Sequence, residues 1–289
     1  MKIWPGLLIA LCAPLLQAAV SVIDDRGHTV TLAQPARRIV SLSPHLAEDL
    51  FAIGAGAQVV GTVDFSDYPP AAKRVARVGG YDGFDLERIR TLKPDLIVAW
   101  QSGNPPRQLA MVETLGIPVF HDDVRRLQDV PGVLERLGVL AGKPVEAGQA
   151  AARFRNQLAA LEKQYAQRSP VRVFYQVWDR PLMTVNREQI ISDALRICGA
   201  VNVFGDLPAL TPTIDEEAVL AANPQLIVTS RVHDGPNEWL AQWQRWPQLA
   251  AVKKRQLVTL PRDLLIRMGP RLVDGVAALC EAVDKARQS

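Results

Sequence analysis

Short apolar runs separated by longer amphipathic stretches recur through the first half of the chain. The runs at residues 38–42, 59–62, 96–100 and 117–120 have the length and composition of buried strands, and helical spacing at 48–53 follows the first of them. Parallel strands are buried on both faces and are joined by helices, so this alternation is typical of a parallel sheet. We therefore predict an α/β lobe in the amino-terminal half.

A long helix and a second alternating block follow. Residues 145–168 are rich in helix-forming residues and contain no proline, which predicts one long helix. Further strand candidates lie at 172–176, 226–229 and 257–260. The predicted fold class is α/β, with two lobes that each have a central, mostly parallel sheet and flanking helices, bridged by one long helix. The predicted boundaries are 20–144 for the amino-terminal lobe, 145–168 for the bridging helix and 169–289 for the carboxy-terminal lobe.

The first 19 residues have the pattern of a secretory signal peptide. Lys2 supplies a positive start, an apolar run covers 3–16, and Ala18 and Ala19 are small residues suited to cleavage. The run is too short to cross a bilayer, so we expect the segment to be removed on export, together with Cys12. A buried amino-terminal helix or a membrane anchor is the alternative.

Two segments of the chain repeat each other at a fixed distance. The offset is 130 positions (215 − 85), and it relates DLERI at 85–89 to DEEAV at 215–219 and PDLIV at 94–98 to PQLIV at 224–228. Each half thus carries the same unit of helix, proline and strand, which places Glu87 and Glu217 at equivalent positions of the two lobes. The alternative is a common local solution of α/β proteins without duplication.

Composition and motifs exclude several classes of function. The formal net charge is +3 without a dense basic tract, so no nucleic acid partner is expected. The chain has no glycine-rich phosphate loop, nucleophile elbow or zincin motif, and its four histidines are scattered. We therefore predict neither an enzyme nor a resident metal or cofactor.

His45 follows the end of the first predicted strand, where α/β folds bind ligands. It is placed there to coordinate a metal carried by a ligand. The favoured interpretation is an exposed loop residue or a helix-start residue.

Two cysteines remain after Cys12 is set aside. An even number of cysteines in an exported chain permits a disulfide, and we expect Cys198 and Cys280 to pair. Two separate buried thiols are the alternative.

Several aromatic side chains lie in loops or at the ends of predicted strands. Phe65 and Tyr81 are loop residues, Trp100 ends a strand, and Trp178 follows one. Flat aromatic faces at such positions are suited to line a cleft between the lobes and to bind a broad ligand. Core packing is the alternative for each of them.

Two groups of residues in the last quarter of the chain allow both a functional and a structural interpretation. Asp263 and Arg267, beyond the last predicted strand, are placed to hydrogen-bond a ligand or to form a surface ion pair. Trp239, Trp243 and Trp246 recur at helical spacing, which is more typical of a packing face than of a ligand surface, so they stay outside the predicted site.

Eight short segments, spread over nearly the whole chain after the predicted signal peptide, match a known family. They are RIVSLSP at 38–44, SDYPP at 66–70, LERI at 86–89, LKPDL at 92–96, AW at 99–100, ICG at 197–199, PR at 270–271 and LC at 279–280. On these segments the chain resembles the periplasmic binding proteins of the helical-backbone class, or class III, and within it the members that bind cobalamin for ABC importers.

The resemblance implies the nature of the ligand and the residues that bind it. The ligand would be a corrinoid, such as cobalamin or vitamin B12, held between the lobes without catalysis. The aromatic cleft of the family maps onto Phe65, Tyr81 and Trp100, and Trp178 lies close to a further aromatic position.

The resemblance also implies a partner and a disulfide. Glu87 and Glu217 would pair with arginines of the two subunits of an inner-membrane permease, whose ATPase drives import. Cys198 and Cys280 match the cysteine pair of the cobalamin binders. The binding protein itself is expected to be a monomer.

The chain departs from the family pattern in its second lobe. Thr211 stands where a tryptophan is expected, and Leu264 and Leu265 stand where aromatic residues are expected. This half of the cleft is therefore less aromatic. A ferric siderophore or haem is the alternative ligand within the class, and a cleft enzyme or a receptor-presenting sensor is the alternative from another class.

Overall fold

The amino-terminal lobe is built around a five-stranded parallel sheet. The computed structural model describes residues 19–230 and 237–288, so the predicted signal peptide, with Cys12, lies outside the described residues except for Ala19. The strands of this lobe are β1 (Val20–Ile23), β2 (Thr29–Leu32), β3 (Ile39–Ser41), β4 (Val59–Thr62), β5 (Ala76–Arg77), β6 (Gly79–Gly80), β7 (Gly83–Phe84), β8 (Leu96–Trp100) and β9 (Val119–Asp122). The sheet has the order β5-β4-β3-β8-β9, while β1 with β2 and β6 with β7 form antiparallel hairpins.

Four α-helices flank this sheet. They are α1 (Pro44–Ala52), α2 (Leu86–Thr91), α3 (Pro106–Glu113) and α4 (Val130–Ala141), with short 3-10 helices at Gly56–Gln58, Pro70–Arg74 and Leu127–Asp129. Helix α1 begins four residues before the predicted segment at 48–53, because a proline fits the first turn of a helix, where its missing N–H is not needed.

One long helix connects the lobes. This helix, α5 (Pro144–Tyr165), has 22 residues, and its small face of Ala147, Ala150 and Ala151 is buried. Alanine contributes the highest helix propensity and lets neighbouring backbones approach closely. The helix begins one residue before the predicted 145–168 and ends three residues before its limit.

The carboxy-terminal lobe repeats the arrangement with four parallel strands. Its strands are β10 (Val171–Gln176), β11 (Trp178–Asp179), β12 (Leu182–Met183), β13 (Ala200–Asn202), β14 (Leu226–Ser230) and β15 (Leu257–Leu260). Its helices are α6 (Ile190–Ile197), α7 (Glu216–Ala222), α8 (Glu238–Ala241), α9 (Ala250–Lys253), α10 (Arg262–Ile266) and α11 (Leu272–Gln288), with a 3-10 helix at Gln242–Arg245. The sheet order is β13-β10-β14-β15, and β11 with β12 forms a hairpin. The predicted fold class is therefore confirmed.

A continuous core runs through both lobes along the bridging helix. One cluster of buried side chains includes Phe120 of β9, Phe154 of α5 and Tyr175 of β10. Smaller clusters cover the opposite face of each sheet. Both faces of the parallel sheets are thus buried, which explains the uninterrupted apolar runs in the sequence. None of the helices in the described part of the chain is both long enough and apolar enough to span a membrane.

The two repeated segments have the same local structure. Asp85 caps α2 by accepting a hydrogen bond from the backbone N–H of Arg88 at 2.9 Å, and Asp215 caps α7 by accepting one from Ala218 at 2.8 Å. Strands β8 and β14 follow, and each is the second strand from the edge of its sheet. Glu87 and Glu217 therefore occupy the same turn of equivalent helices, and both are exposed.

The expected disulfide is present. Cys198, just after α6, is bonded to Cys280 of α11, across a sequence separation of 82 residues. Both cysteines are fully buried in the shared core. The alternative of two separate thiols is wrong.

Two sequence predictions are wrong in detail: the bounds of one strand and the placement of three tryptophans on one helix. The strand predicted at 117–120 lies at Val119–Asp122, because Pro118 has no N–H to donate and only its carbonyl pairs with β8. The three tryptophans at helical spacing do not share one α-helix, since α8 ends at Ala241 and a 3-10 helix follows. The packing interpretation holds for Trp243, which is fully buried.

Candidate functional site

A cavity of about 400 Å³ lies between the lobes, at the carboxyl ends of the sheet strands. The last residues of three strands line it, namely Trp100 of β8, Gln176 of β10 and Ser230 of β14. Parallel α/β sheets bind ligands at this edge, because strand ends and the loops after them converge there. Val124 adds an apolar wall from the amino-terminal lobe, and Ile266 adds one from the carboxy-terminal lobe.

The end of β8 carries one of the predicted cleft residues. Trp100 lines the cavity, and its ring lies so close to Gly103 that a Cβ on this glycine would overlap the indole. The backbone N–H of Trp100 donates to Asn104 Oδ1 at 2.8 Å. Gly103 is thus required for the present position of the ring.

His45 supports Trp100 from behind. The imidazole meets the indole edge-on at 5.2 Å between ring centroids, and it is buried. Its Nδ1 lies 2.5 Å from Ser43 Oγ, and its Nε2 lies 2.9 Å from Asp122 Oδ2. The expectation of an exposed His45 is wrong, because its ring packs against Trp100 of β8 and pairs with Asp122 of β9. Its position at a helix start is as predicted. Both ring nitrogens already have partners.

On the opposite lobe, one tryptophan lines the cavity and a second packs edge-on against it. Trp178 of β11 lines the cavity and is 45% exposed. Trp239 packs against it at 5.3 Å between ring centroids, and the Trp178 indole N–H donates to the carbonyl of Arg180 at 3.2 Å. Trp239 thus supports a predicted site residue, although its helical spacing favoured a role in the core.

A buried hydroxyl pair lies on the carboxy-terminal wall. The Tyr175 hydroxyl and Ser230 Oγ are 2.5 Å apart, and both residues line the cavity. Burial raises the pKa of Tyr175 to about 12, so the phenol is neutral at physiological pH. The sequence did not single out either residue, because each reads as an ordinary strand position.

Two predicted cleft residues lie outside the enclosed cavity. Phe65 is 61% exposed and has a positive φ of 62°, and Tyr81, in the β6–β7 hairpin, is 90% exposed. Exposed aromatic side chains of this size are surfaces on which a ligand or partner can pack. Their place in the site stays a prediction.

Arg267 lies beside the cavity rather than on its wall. It is only 7% exposed, and its guanidinium donates to Glu48 Oε1 at 2.7 Å and to Asp67 Oδ1 at 2.8 Å. Asp263 lies 3.3 Å from the same guanidinium, one helical turn away. The pair is therefore not the surface ion pair considered above, because Arg267 is buried where the lobes meet. A direct contact between Arg267 and the ligand stays a prediction. It requires the guanidinium to break its hydrogen bonds to Glu48 and Asp67.

A buried acidic group neighbours this contact. Asp49 of α1 is buried, and its Oδ1 has no hydrogen-bond partner among the described residues. Burial, with the nearby charges of Asp122 and Glu48, raises the pKa of Asp49 well above its usual value. Burial also raises the pKa of Asp122, although its contact with His45 opposes the shift.

The second-lobe residues that differ from the family pattern have different consequences for the cavity. Thr211 lines it, so a small side chain there leaves room where the family pattern has an indole. Leu265 is fully buried and belongs to the shared core. In the described part of the chain, no group of three or more His, Cys, Asp or Glu is placed to hold a metal ion.

Comparison with known proteins agrees with this architecture. The model of a family described as periplasmic binding protein matches residues 39–264. The chain belongs to this family. A vitamin B12-binding protein of Vibrio cholerae is 39% identical over 248 residues, which cover 85% of this chain and 88% of that protein.

Solved structures of periplasmic binding proteins show the same fold. The crystal structure of the periplasmic vitamin B12 binding protein BtuF of Vibrio cholerae matches with a TM-score of 0.81 at 36% identity, over 88% of this chain and 99% of that one. A periplasmic heme binding protein from Pseudomonas aeruginosa matches with a TM-score of 0.72 at 26% identity, over 86% of this chain and 92% of that one. The chain is thus a binding protein, as the sequence predicted, rather than an enzyme.

Proposed function

We propose that this periplasmic binding protein captures a corrinoid, such as cobalamin, between its lobes and delivers it to an ABC importer. The observation that carries the proposal is the apolar, aromatic cavity at the strand ends, with Trp100 on one lobe and Trp178 on the other. Two flat rings on opposing walls suit a broad, flat ligand, because they give contact area with little loss of rotamer entropy. The vitamin B12-binding names of the relatives support this ligand class.

The size of the cavity suggests how such a ligand would lie. About 400 Å³ is within the range of small-molecule sites, roughly 300–1,000 Å³, but a corrin ring with its amide side chains and nucleotide loop is larger than an ordinary drug-sized ligand. The corrinoid would therefore extend beyond the enclosed volume toward Phe65 and Tyr81, whose rings are exposed. This would give both exposed rings a binding role.

Delivery would use the two equivalent carboxylates. Glu87 and Glu217 lie exposed in the first turns of α2 and α7, at matched positions of the repeat. A surface with two similar lobes suits a dimeric permease, since each carboxylate can meet an arginine of one subunit. We further infer export with removal of the signal peptide, and action as a monomer with an inner-membrane permease and its ATPase.

Haem is the alternative ligand, because a heme-binding relative shares the fold. Haem iron is commonly held by a His or Tyr. His45, the histidine nearest to Trp100 by ring contact, has Ser43 and Asp122 on its two ring nitrogens, and the Tyr175 hydroxyl is paired with Ser230. These contacts favour the corrinoid.

Competition binding separates the two ligands. Purified mature protein is loaded with cyanocobalamin, and haemin or a ferric siderophore is then added in excess while bound corrinoid is followed by its absorbance. We expect cyanocobalamin to stay bound. Displacement of the bound cyanocobalamin by haemin or by the siderophore would assign the protein to the alternative cargo.

A further inference from the structure

A buried carboxylate of the amino-terminal lobe is held by two arginines of the other lobe. Glu48 of α1 is 3% exposed. Arg271 donates to it twice, from Nε to Oε2 at 2.8 Å and from Nη2 to Oε1 at 2.7 Å, and Arg267 donates to Oε1 at 2.7 Å. Bidentate pairs of this kind fix geometry as well as supply energy. Glu48 is therefore a buried point at which ion pairs join the two lobes.

The same arginines also hold the loop that carries two exposed aromatic residues. Arg267 donates to the carbonyl of Phe65 at 3.0 Å and to Asp67 Oδ1 at 2.8 Å. The guanidinium of Arg271 lies 3.7 Å from the ring centroid of Tyr68. We call Glu48, Asp67, Arg267 and Arg271 the lobe clamp. Every residue of loop 65–68 that presents an aromatic ring thus contacts a clamp arginine.

The segment that supplies these arginines has two faces. Ile266 and Met268 line the cavity, whereas Arg267 faces Glu48. Gly269 faces α1 as well, because a Cβ added to it would lie 3.0 Å from Asp49 Oδ1. Alternation of this kind is expected of the extended backbone at Arg267, whose φ and ψ are −108° and 112°. The clamp therefore fixes one face of a segment whose other face is cavity wall.

The charges of the clamp support one another. Burial alone would lower the pKa of Arg267, but its hydrogen bonds to Glu48 and Asp67 raise it. Burial alone would likewise raise the pKa of Asp67, but the hydrogen bond and charge of Arg267 lower it. Removing one partner from such a buried pair leaves an uncompensated charge, which destabilises the contact between the lobes.

We propose that Glu48 is a positioning residue for ligand binding. It does not line the cavity; it orients Arg267 and Arg271, which hold the aromatic loop 65–68 and the wall segment 266–268 in fixed relation to each other. The ligand part of this inference rests on the proposed function.

Amide hydrogen exchange tests the clamp without any ligand. In Glu48→Gln we expect exchange in residues 65–68 and 266–271 to be faster by about tenfold or more, because loss of the clamp lowers the free energy of local opening. Glu135→Gln is the matched control, since Glu135 also accepts two hydrogen bonds from one arginine, Arg155 at 2.7 and 2.9 Å, but on the exposed surface. The control should leave both segments unchanged.

The outcome that overturns the clamp is equal exchange in Glu48→Gln and wild type. Arg271→Gln provides a second variant if Glu48→Gln does not fold, because it leaves Arg267 bonded to Glu48. Thermal unfolding identifies the folded variants. Arg271→Gln should also loosen residues 65–68, and wild-type exchange there would equally contradict the proposal.

A double-mutant cycle with cyanocobalamin tests the positioning role. Glu48→Gln should weaken binding by about tenfold or more, and it should weaken binding clearly less in a Phe65→Ala background, where the aromatic ring that the clamped loop presents to the ligand is already absent. Additive losses would show that Glu48 acts only on general stability, and would overturn the role. If the wild-type chain does not bind cyanocobalamin, the proposed function fails, while hydrogen exchange still decides whether the clamp exists.

Discussion

The indole ring of Trp239 lies 5.3 Å from that of Trp178, so the aromatic wall of the carboxy-terminal lobe has a second ring behind it. Truncating Trp178 to Ala removes the ring that lines the cavity. We expect Trp178→Ala to weaken cyanocobalamin binding by about 2 kcal/mol, or roughly 30-fold, measured by isothermal titration calorimetry. Trp239→Ala should weaken it less, because only the orientation of Trp178 changes. A larger loss for Trp239→Ala than for Trp178→Ala would contradict this assignment.

Replacing Glu87 and Glu217 together by Ala should separate ligand binding from delivery. Both carboxylates are exposed, away from the cavity, so cyanocobalamin affinity should stay within about twofold of wild type. Stimulation of ATP hydrolysis by the reconstituted permease should be lost. Glu146→Ala is a matched control, since Glu146 lies exposed in the first turn of α5 and should leave stimulation unchanged. Full stimulation by the double variant would rule out the docking role.

Asp49 predicts a specific dependence of stability on pH. Its raised pKa means that the folded state binds more protons than the unfolded state, from the usual carboxyl range up to the raised value. The free energy of unfolding therefore falls as pH rises through that window. Below the window Asp49 is protonated in both states, so the stability that is lost at higher pH is fully present. Asp49→Asn should remove this fall and stabilise the protein by about 1–3 kcal/mol at neutral pH. Urea unfolding at several pH values measures it; a variant less stable than wild type at neutral pH would show that Asp49 is favourable when charged.

The Cys198–Cys280 disulfide should contribute strongly to stability. For a separation of 82 residues, the chain-entropy relation gives about 4.5 kcal/mol, since the bond restricts the unfolded chain. The double variant Cys198→Ala and Cys280→Ala should lose stability on that scale in urea unfolding, with reduced wild-type protein as the comparison. A loss below about 1 kcal/mol would contradict the prediction that the disulfide stabilises the protein by restricting the unfolded chain.

The architecture was predictable because its signals are local. Both faces of the sheets are buried, so the strands Leu96–Trp100 and Leu226–Ser230 appear as uninterrupted apolar runs. The offset of 130 positions identified Asp85 and Asp215 as equivalent, and both cap a helix. The two-residue strands of the small hairpins carry no such periodic signal and were not predicted.

The parts of the site that escaped prediction depend on distant contacts. Arg267 and Glu48 are 219 positions apart, so no local pattern indicates that the arginine is buried between the lobes. The Tyr175 hydroxyl likewise meets Ser230 only because β10 and β14 are neighbours in the sheet. Trp100, by contrast, was predicted as a cleft residue from local sequence alone, because its place at the end of an apolar run is visible without knowledge of distant contacts.

The most direct test of the proposed function is the titration of the mature wild-type protein with cyanocobalamin in a calorimeter. The aromatic cavity between Trp100 and Trp178 predicts saturable binding of one corrinoid per chain, with a dissociation constant of about 1 μM or tighter. The absence of saturable binding would contradict the assignment of a corrinoid to this cleft.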